Sequence, residues 1–230
     1  MARQLDVASS ALATALRLGA GGTATPTART PEKLLQLYEF EACPFCRRVR
    51  EALSELDLDA LVLPCPKGGL RFRPKAVSLG GKAMFPFLVD ANTDRSMYES
   101  ADIVRYLRET YQASGTGSGT ALGIVSGSLA SALRGRHGRV ARPSRAPEQP
   151  LELWSYEASP FCRLVRETLC ELELPYVLHN VAKGSAKREA FVARSGKMMV
   201  PYIVDPNTGR AIFESADIVR YLGETYSASS

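Results

Sequence analysis

The sequence predicts two α/β domains in tandem, each of order β-α-β-α-β-β-α and each preceded by a short helical segment. Three observations predict this. The chain from Pro31 onward is written twice, with Pro31–Tyr111 matching Pro147–Tyr226 apart from a single-residue offset. Each copy alternates short apolar runs with stretches of helical spacing, the mark of strand–helix–strand units. Each copy also carries a turn sequence, Asn92-Thr-Asp-Arg95 or Pro206-Asn-Thr-Gly209, between its last two apolar runs. Glu99-Ser-Ala-Asp-Ile-Val-Arg-Tyr-Leu107 recurs without change as Glu214 to Leu222. Two units are too few to stack as a solenoid, so each copy is expected to be a domain.

The elements follow in order. Leu35–Phe40 is an apolar run, read as a strand. Pro44 suits a first helical position, and Val49, Leu53 and Leu56 then share one face as far as about Leu56. Leu58–Leu63 is a second strand, and a weaker helical stretch follows. Phe85–Asp90 is a third strand, closing a hairpin with the fourth. Ser100 opens the last helix, with Ile103, Val104 and Leu107 turned inward. Strands one and two, joined through a helix, are expected to be parallel with a right-handed crossover. The expected organisation is an N-terminal segment with a short helix over 1–30, one domain over 31–112, a flexible linker over 113–146, and a second domain over 147–230.

Composition sets outer limits. Hydrophobic residues make up 45% of the 230 and mean hydropathy is −0.10, the profile of a globular chain with no bilayer-length apolar run. A net charge of +5 and a pI near 9.0 mildly favour anionic partners and are too weak to argue for nucleic acid. Five cysteines cannot all pair, which points to a reducing, intracellular setting: cytoplasm in a bacterium, plastid in a photosynthetic eukaryote. The first thirty residues hold one acid, Asp6, a composition found in organelle transit peptides. Yet Ser10–Arg17 resembles Ser128–Arg134, and each precedes a Pro-Glu, which favours a place in the folded repeat.

The linker opens with the Gly- and Ser-rich Ser114–Thr120. Leu122, Val125, Leu129 and Leu133 then fall at helical spacing, and Arg134, Arg136, Arg139, Arg142 and Arg145 follow. That arginine run reads as a solvated linker or as a strip for an acidic partner, lipid head groups or RNA. No aromatic interrupts it, which disfavours a nucleic-acid stacking platform.

The chemistry lies in Cys43-Pro-Phe-Cys46 and its counterpart Ser159-Pro-Phe-Cys162. A thiol needs a lowered pKa to be a nucleophile at neutral pH. Cys43 ends a strand-to-helix loop, where free backbone N–H groups and the positive helix end favour a thiolate. Arg47 and Arg48 add charge, and Cys46 lies one turn on as a resolving thiol. Zinc is disfavoured, because Cys65, Cys170, His137 and His179 supply no second ligand pair at finger spacing. Cys170 and Trp154 read as core residues. Cys65, in Pro64-Cys-Pro66, reads as a buried strand-end residue or an extra redox thiol.

Cys43-Pro-Phe-Cys46, Phe85-Pro86 and Glu99-Ser100 resemble a glutaredoxin or the N-terminal, glutathione-binding domain of a glutathione S-transferase, both of thioredoxin-like fold. The likeness is nearest to cysteine-type transferases such as the omega class and to prostaglandin E synthase 2-like proteins. Tandem glutathione-transferase-like proteins of plastids and photosynthetic microbes share the doubled arrangement. The all-helical C-terminal domain of a full transferase is not expected. The resemblance implies cis peptide bonds before Pro86 and Pro201, and a glutathione cosubstrate paired with the backbone of Phe85 or Val200. It also implies that Glu99-Ser100 and Glu214-Ser215 receive the γ-glutamyl end, and Lys82 and Lys197 the glycyl carboxylate. Ser159, as in serine-type transferases, is then expected to hold a bound glutathione thiolate by hydrogen bond, with Cys162 deeper and less reactive.

Three functions fit: glutathione-dependent thiol–disulfide exchange on a disulfide or glutathionylated substrate, a non-catalytic interaction module, or a dithiol reductase that ignores glutathione. Glu99-Ser100 disfavours the last.

Overall fold

The computed structural model describes residue 10 and residues 20–25, 27–112 and 137–228. The expected element order is present in both copies. The first copy holds β1 (Leu35–Glu39), α1 (Pro44–Glu55), β2 (Ala60–Pro64), α2 (Arg73–Gly80), β3 (Phe87–Asp90), β4 (Arg95–Met97) and α3 (Ser100–Tyr111). The second holds β5 (Leu151–Ser155), α4 (Pro160–Glu171), β6 (Tyr176–Asn180), α5 (Arg188–Ser195), β7 (Tyr202–Asp205), β8 (Arg210–Phe213) and α6 (Ser215–Tyr226). Each module has a thioredoxin-like fold. Strand β1 pairs parallel with β2 and antiparallel with β3, and β5 does the same with β6 and β7.

Periodicity explains the cores. Val49 and Leu53 of α1 and Leu56 just after it are buried as their spacing requires, against Leu35, Leu37 and the α3 residues Ile103, Leu107 and Tyr111. Matched residues of α4, β5 and α6 form the second core. Each hairpin is pinned to its last helix by a carboxylate. Asp90 accepts hydrogen bonds from the Tyr106 and Tyr111 hydroxyls, and Asp205 from those of Tyr221 and Tyr226. Burial opposes ionisation of both acids, but these bonds outweigh it and hold their pKa values below the usual carboxylate range.

The two modules share one sheet, ordered β4-β3-β1-β2-β6-β5-β7-β8. Edge strands β2 and β6 pair antiparallel, Ala60 with Leu178, Leu61 with Val177 and Val62 with Tyr176. Ala60, Leu61 and Val62 are the counterparts of Tyr176, Val177 and Leu178, so the seam is self-complementary about Leu61 and Val177. It has the symmetry of a two-fold dimer inside one chain. Neither β2 nor β6 is left as an open edge.

Beside the strands, the first helices of the two modules meet through buried charge. Arg50 pairs with Glu39, with Glu41 at 3.2 Å and with Glu157 at 3.0 Å. Arg166 pairs with Glu41 at 3.1 Å and Glu157 at 2.8 Å. Arg47 lies 3.1 Å from Glu51 and 3.7 Å from Glu157, and Arg163 lies 3.8 Å from Glu41. All these side chains are buried. Burial opposes the Glu157 charge, but Arg166, Arg50, Arg47 and Arg163 together hold its pKa down at about 2. Backbone groups are matched as well: Ser54 Oγ accepts from Glu157 N at 3.0 Å, and Cys170 Sγ, at the equivalent place, from Glu41 N at 3.4 Å. Cys170 is thus a buried seam thiol.

The stretch expected as a free arginine-rich linker is instead a strap over 137–145. Lys67 N donates to Arg139 O, Arg142 N to Glu171 O and Arg145 N to Tyr226 O. The strap leaves the first module and ends on the second. Residues 20–25, 27 and 28 mirror it, through Ala24 N to Lys183 O, Thr25 N to Glu55 O and Ala28 N to Tyr111 O. Each strap crosses the seam at a glycine of positive φ, Gly21 or Gly138. A Cβ there would lie 2.8 Å from that of Glu157 or 2.7 Å from that of Glu41. Within the arginine run, Arg142 pairs with Glu171 at 3.1 Å and Arg145 donates to Thr225 O, so both serve the chain itself. Arg134, Arg136, Ser114–Thr120 and the apolar positions Leu122–Leu133 lie outside the described residues. Of the N-terminal helical motif only Ser10 is described; it is buried and donates to Pro160 O at 2.9 Å. Among the described residues no helix is long and apolar enough to cross a membrane.

Removing Arg50 leaves Glu39, Glu41 and Glu157 short of a shared counter-ion. Arg50→Ala is expected to cost about 3–5 kcal/mol in urea unfolding at neutral pH. The stability that the ionised Glu157 contributes is present above its ordinary unfolded range and lost as pH falls towards 2, so the penalty should shrink in acid.

Candidate functional site

Cys43 caps the N-terminus of α1, and Pro44 occupies the first helical position. Its sulfur accepts from Cys46 N at 3.3 Å and lies 4.0 Å from Phe85 O. The side-chain hydrogen bond from Cys46 pulls the Cys43 thiol down to a pKa of about 7. Burial opposes this, and the Cys46 and Phe45 backbone and the Arg50 charge add to it. Arg47, expected to supply charge here, turns into the seam towards Glu51 and Glu157, and the guanidinium acting on Cys43 is that of Arg50. Cys46 is fully buried, and burial together with its bond to Cys43 pushes its thiol well above the usual range.

In the second module Ser159 caps α4 in the same way, accepting from Cys162 N at 3.2 Å. Burial raises the Cys162 thiol, against hydrogen bonds from Ser159 and Ser155. Phe45 and Phe161, in the two motifs, are close to half exposed and give each site an apolar lip.

The peptide bonds Phe85–Pro86 and Val200–Pro201 are cis, and both prolines are buried just before β3 and β7. Since β3 flanks β1, the backbone of Phe85 is brought beside Cys43. Arg73 stacks over the Phe85 ring at 4.8 Å.

Glu99 and Glu214 precede α3 and α6 and are exposed, while Ser100 and Ser215, the first helical residues, are buried. Both glutamates adopt φ of 67°. A non-glycine residue there stores about 1–3 kcal/mol of strain, the kind retained where geometry serves a site. The lysines are less engaged with the sites. Lys82 is exposed and its backbone is bracketed by the Tyr98 hydroxyl; the Lys197 ammonium rests 4.3 Å over the Phe213 ring.

Cys65 is fully buried, its thiol driven up by burial and its Sγ 3.4 Å from Leu63 O. It is a strand-end core residue. Trp154 packs against His179, Phe191 and Tyr202. The residues that sequence reasoning missed are Glu39, Glu41, Arg50, Glu157 and Arg166. The signal was present: Arg50 is in phase with Cys46, Val49 and Leu53 on the buried face of α1, and Glu39 interrupts an apolar run.

The glutathione S-transferase N-terminal domain family matches residues 37–115 and again 153–230, and the chain belongs to that family. It is 35% identical over 78 residues to a glutathione S-transferase-like protein, OpS6, of Beauveria bassiana, covering 34% of this chain and 36% of that one. It is 34% identical over 77 residues to a glutathione S-transferase-like protein, gedE, of Aspergillus terreus, covering 34% of each. The chain thus spans about a third of the length of these curated relatives. Among solved structures, a Bombyx mori glutathione transferase matches with a TM-score of 0.35 at 21% identity, over 41% of this chain and 43% of that one. A trimeric glutathione transferase of Leishmania matches with a TM-score of 0.31 at 16% identity, over 86% and 68%.

The site predicts a single fast thiol. Iodoacetamide should alkylate Cys43 first, with a rate that rises through a midpoint near pH 7. Cys46, Cys65, Cys162 and Cys170, whose thiols burial pushes up, should lag far behind, as peptide mapping of the labelled protein will show.

Proposed function

We propose that the chain is a glutathione-dependent thiol transferase that works through Cys43, with a second glutathione socket around Ser159. The observation that carries this reading is the Cys43 sulfur itself. It sits at a helix start with a lowered pKa, beside the Phe85 carbonyl and against a buried second thiol.

The Cys43 thiolate attacks the glutathione sulfur of a glutathionylated substrate. The S–S bond breaks, the substrate leaves as a thiolate, and Cys43 carries the glutathione as a mixed disulfide. A second glutathione thiolate then attacks that glutathione sulfur, releases oxidised glutathione and restores Cys43. The Phe85 backbone, ahead of Pro86, pairs with the cysteinyl unit as an added strand would. Glu99 takes the γ-glutamyl ammonium, and Ser100 takes its carboxylate through hydroxyl and helix N–H. Lys82 meets the glycyl carboxylate. Cys46 is the alternative resolving thiol.

In the second module Ser159 cannot form a disulfide. Its hydroxyl donates to a bound glutathione thiolate and favours ionisation. Val200, Pro201, Glu214 and Ser215 repeat the first socket, with Lys197 as the counterpart of Lys82. Cys162, raised by burial, stays a thiol.

The test is reduction of a small glutathione mixed disulfide. Cys43→Ser should abolish turnover, Cys46→Ser should retain most of it, and Ser159→Ala should leave the exchange at Cys43 in place. No turnover by the unsubstituted chain, or undiminished turnover by Cys43→Ser, would overturn the reading.

A further inference from the structure

We propose that Glu173, a residue of the second module, is a positioning residue for the glutathione socket of the first: it holds the loop before α2 so that Phe85 keeps its place beside Cys43. This rests on the glutathione reading of that socket given above.

The two copies differ in this loop. Four residues separate Gly68 from Arg73, whereas three separate Gly184 from Arg188, so the single extra residue of the first copy falls here. The longer loop reaches across the seam to the turn after α4. Glu173 lies in that turn, buried, with a φ of 48°. One of its carboxylate oxygens accepts from Leu70 N at 3.1 Å and the other from Arg71 N at 3.0 Å. Successive backbone N–H groups converging on one carboxylate form an anion nest, here filled by the chain itself. Arg71 closes the contact from the other side. Its Nη1 donates to Leu172 O at 2.9 Å and to Glu173 O at 3.1 Å, and its Nη2 donates to Ser144 O of the strap. The sequence leaves room for the carboxylate. A Cβ on Gly69 would lie 2.5 Å from Glu173 Oε1, and the matched residue of the second copy is Ser185, whose hydroxyl turns to Asn180 O of its own module at 3.5 Å.

The reverse contact is of another kind. Asp57 stands in the first module where Glu173 stands in the second, with a φ of 52°. It meets the loop before α5 through the Lys187 side chain, whose ammonium donates to Asp57 O at 2.8 Å and lies 3.3 Å from Asp57 Oδ1. Glu173 grips loop backbone, and Asp57 meets a flexible side chain. The firmer grip belongs to the module that carries Cys43.

The gripped loop leads straight into the site. Phe72, next after Arg71, packs with Phe85 against Tyr38, Leu63, Ala76 and Phe87. Arg73, the first residue of α2, donates from Nε to Cys65 O at 3.0 Å and to Pro66 O at 2.7 Å, and its guanidinium lies 4.8 Å over the Phe85 ring. Phe85 supplies the carbonyl 4.0 Å from the Cys43 sulfur. Fixing the backbone at 70 and 71 thus fixes the two side chains at 72 and 73 that seat Phe85. The Cys43 sulfur is held at the start of α1 by its own module, so its intrinsic reactivity should not depend on Glu173.

The test compares two disulfides as partners of Cys43, in a Cys46→Ser background that retains the adduct for intact-mass measurement. Oxidised glutathione fills the socket, and 2,2′-dithiodipyridine needs none. In Glu173→Gln the half-saturating concentration of oxidised glutathione should rise about tenfold, a modest misplacement of binding groups, with the limiting rate kept. The rate with 2,2′-dithiodipyridine should be unchanged. Glu173→Asp should recover part of the loss. Gly69→Ala, whose methyl would crowd Glu173 Oε1, should show the same selective loss with the charge intact. Unaltered saturation by oxidised glutathione in Glu173→Gln would overturn the proposal and leave the glutathione reading standing. An equal fall with both disulfides would also overturn it, by placing Glu173 in general support of the fold. Failure of the glutathione reading looks different: the unsubstituted socket would show no saturation by oxidised glutathione, and the proposal would fall with it.

Discussion

The structure depends on the charge buried between its halves. Arg50 and Arg166 each bind Glu41 and Glu157, one carboxylate from each module, so each module's buried charges are completed by the other. Buried ions are costly alone and tolerable only with full partners, so the cluster ties the modules into one unit and fixes their register. The β2–β6 pairing, the two straps and the glycines that let them cross all fit around it. The same arginine reaches the chemistry: Arg50 holds Glu39 and adds its charge to the field that lowers the Cys43 thiol. Assembly and reactivity thus share one side chain.

Duplication then lets the sites diverge inside a fixed frame. Both modules keep the cis proline, the strained glutamate and the buried serine at the last helix. They differ at the start of the first helix, where Cys43 corresponds to Ser159, and on the strand before it, where Glu39 corresponds to Ser155. Both exchanges change which groups can carry a thiol or a proton, and the order of strands and helices around them is kept. In the proposed reading, one socket exchanges disulfides and the other holds a thiolate without bonding to it.

Much of the fold was legible because it is local. The apolar spacing of α1, the proline at its start, the hairpin turns and the helix beginning at Ser100 each follow from a few neighbouring residues. The seam was not legible, because a strand edge gives no sign of its partner and Glu41 looks like any loop acid until Arg166 is set against it. Arg47 follows Cys46 in sequence, which points it to the thiol, yet the helix turns it towards Glu51 and Glu157. The arginine run read as a spacer for the same reason: the backbone bonds of Arg139, Arg142 and Arg145 join parts of the chain far apart in sequence. The Cys43 site was visible from its motif, whereas the carboxylate beneath it belonged to a strand that looked merely apolar.

The central claim is two glutathione sockets on one shared sheet, and equilibrium binding of S-methylglutathione tests it most directly, because the blocked thiol removes all exchange chemistry. The account predicts two ligands per chain, falling to one when Ser215→Ala and Glu214→Ala are combined, with Cys43 exchange preserved. One ligand per chain in the unsubstituted protein, or none, would contradict it.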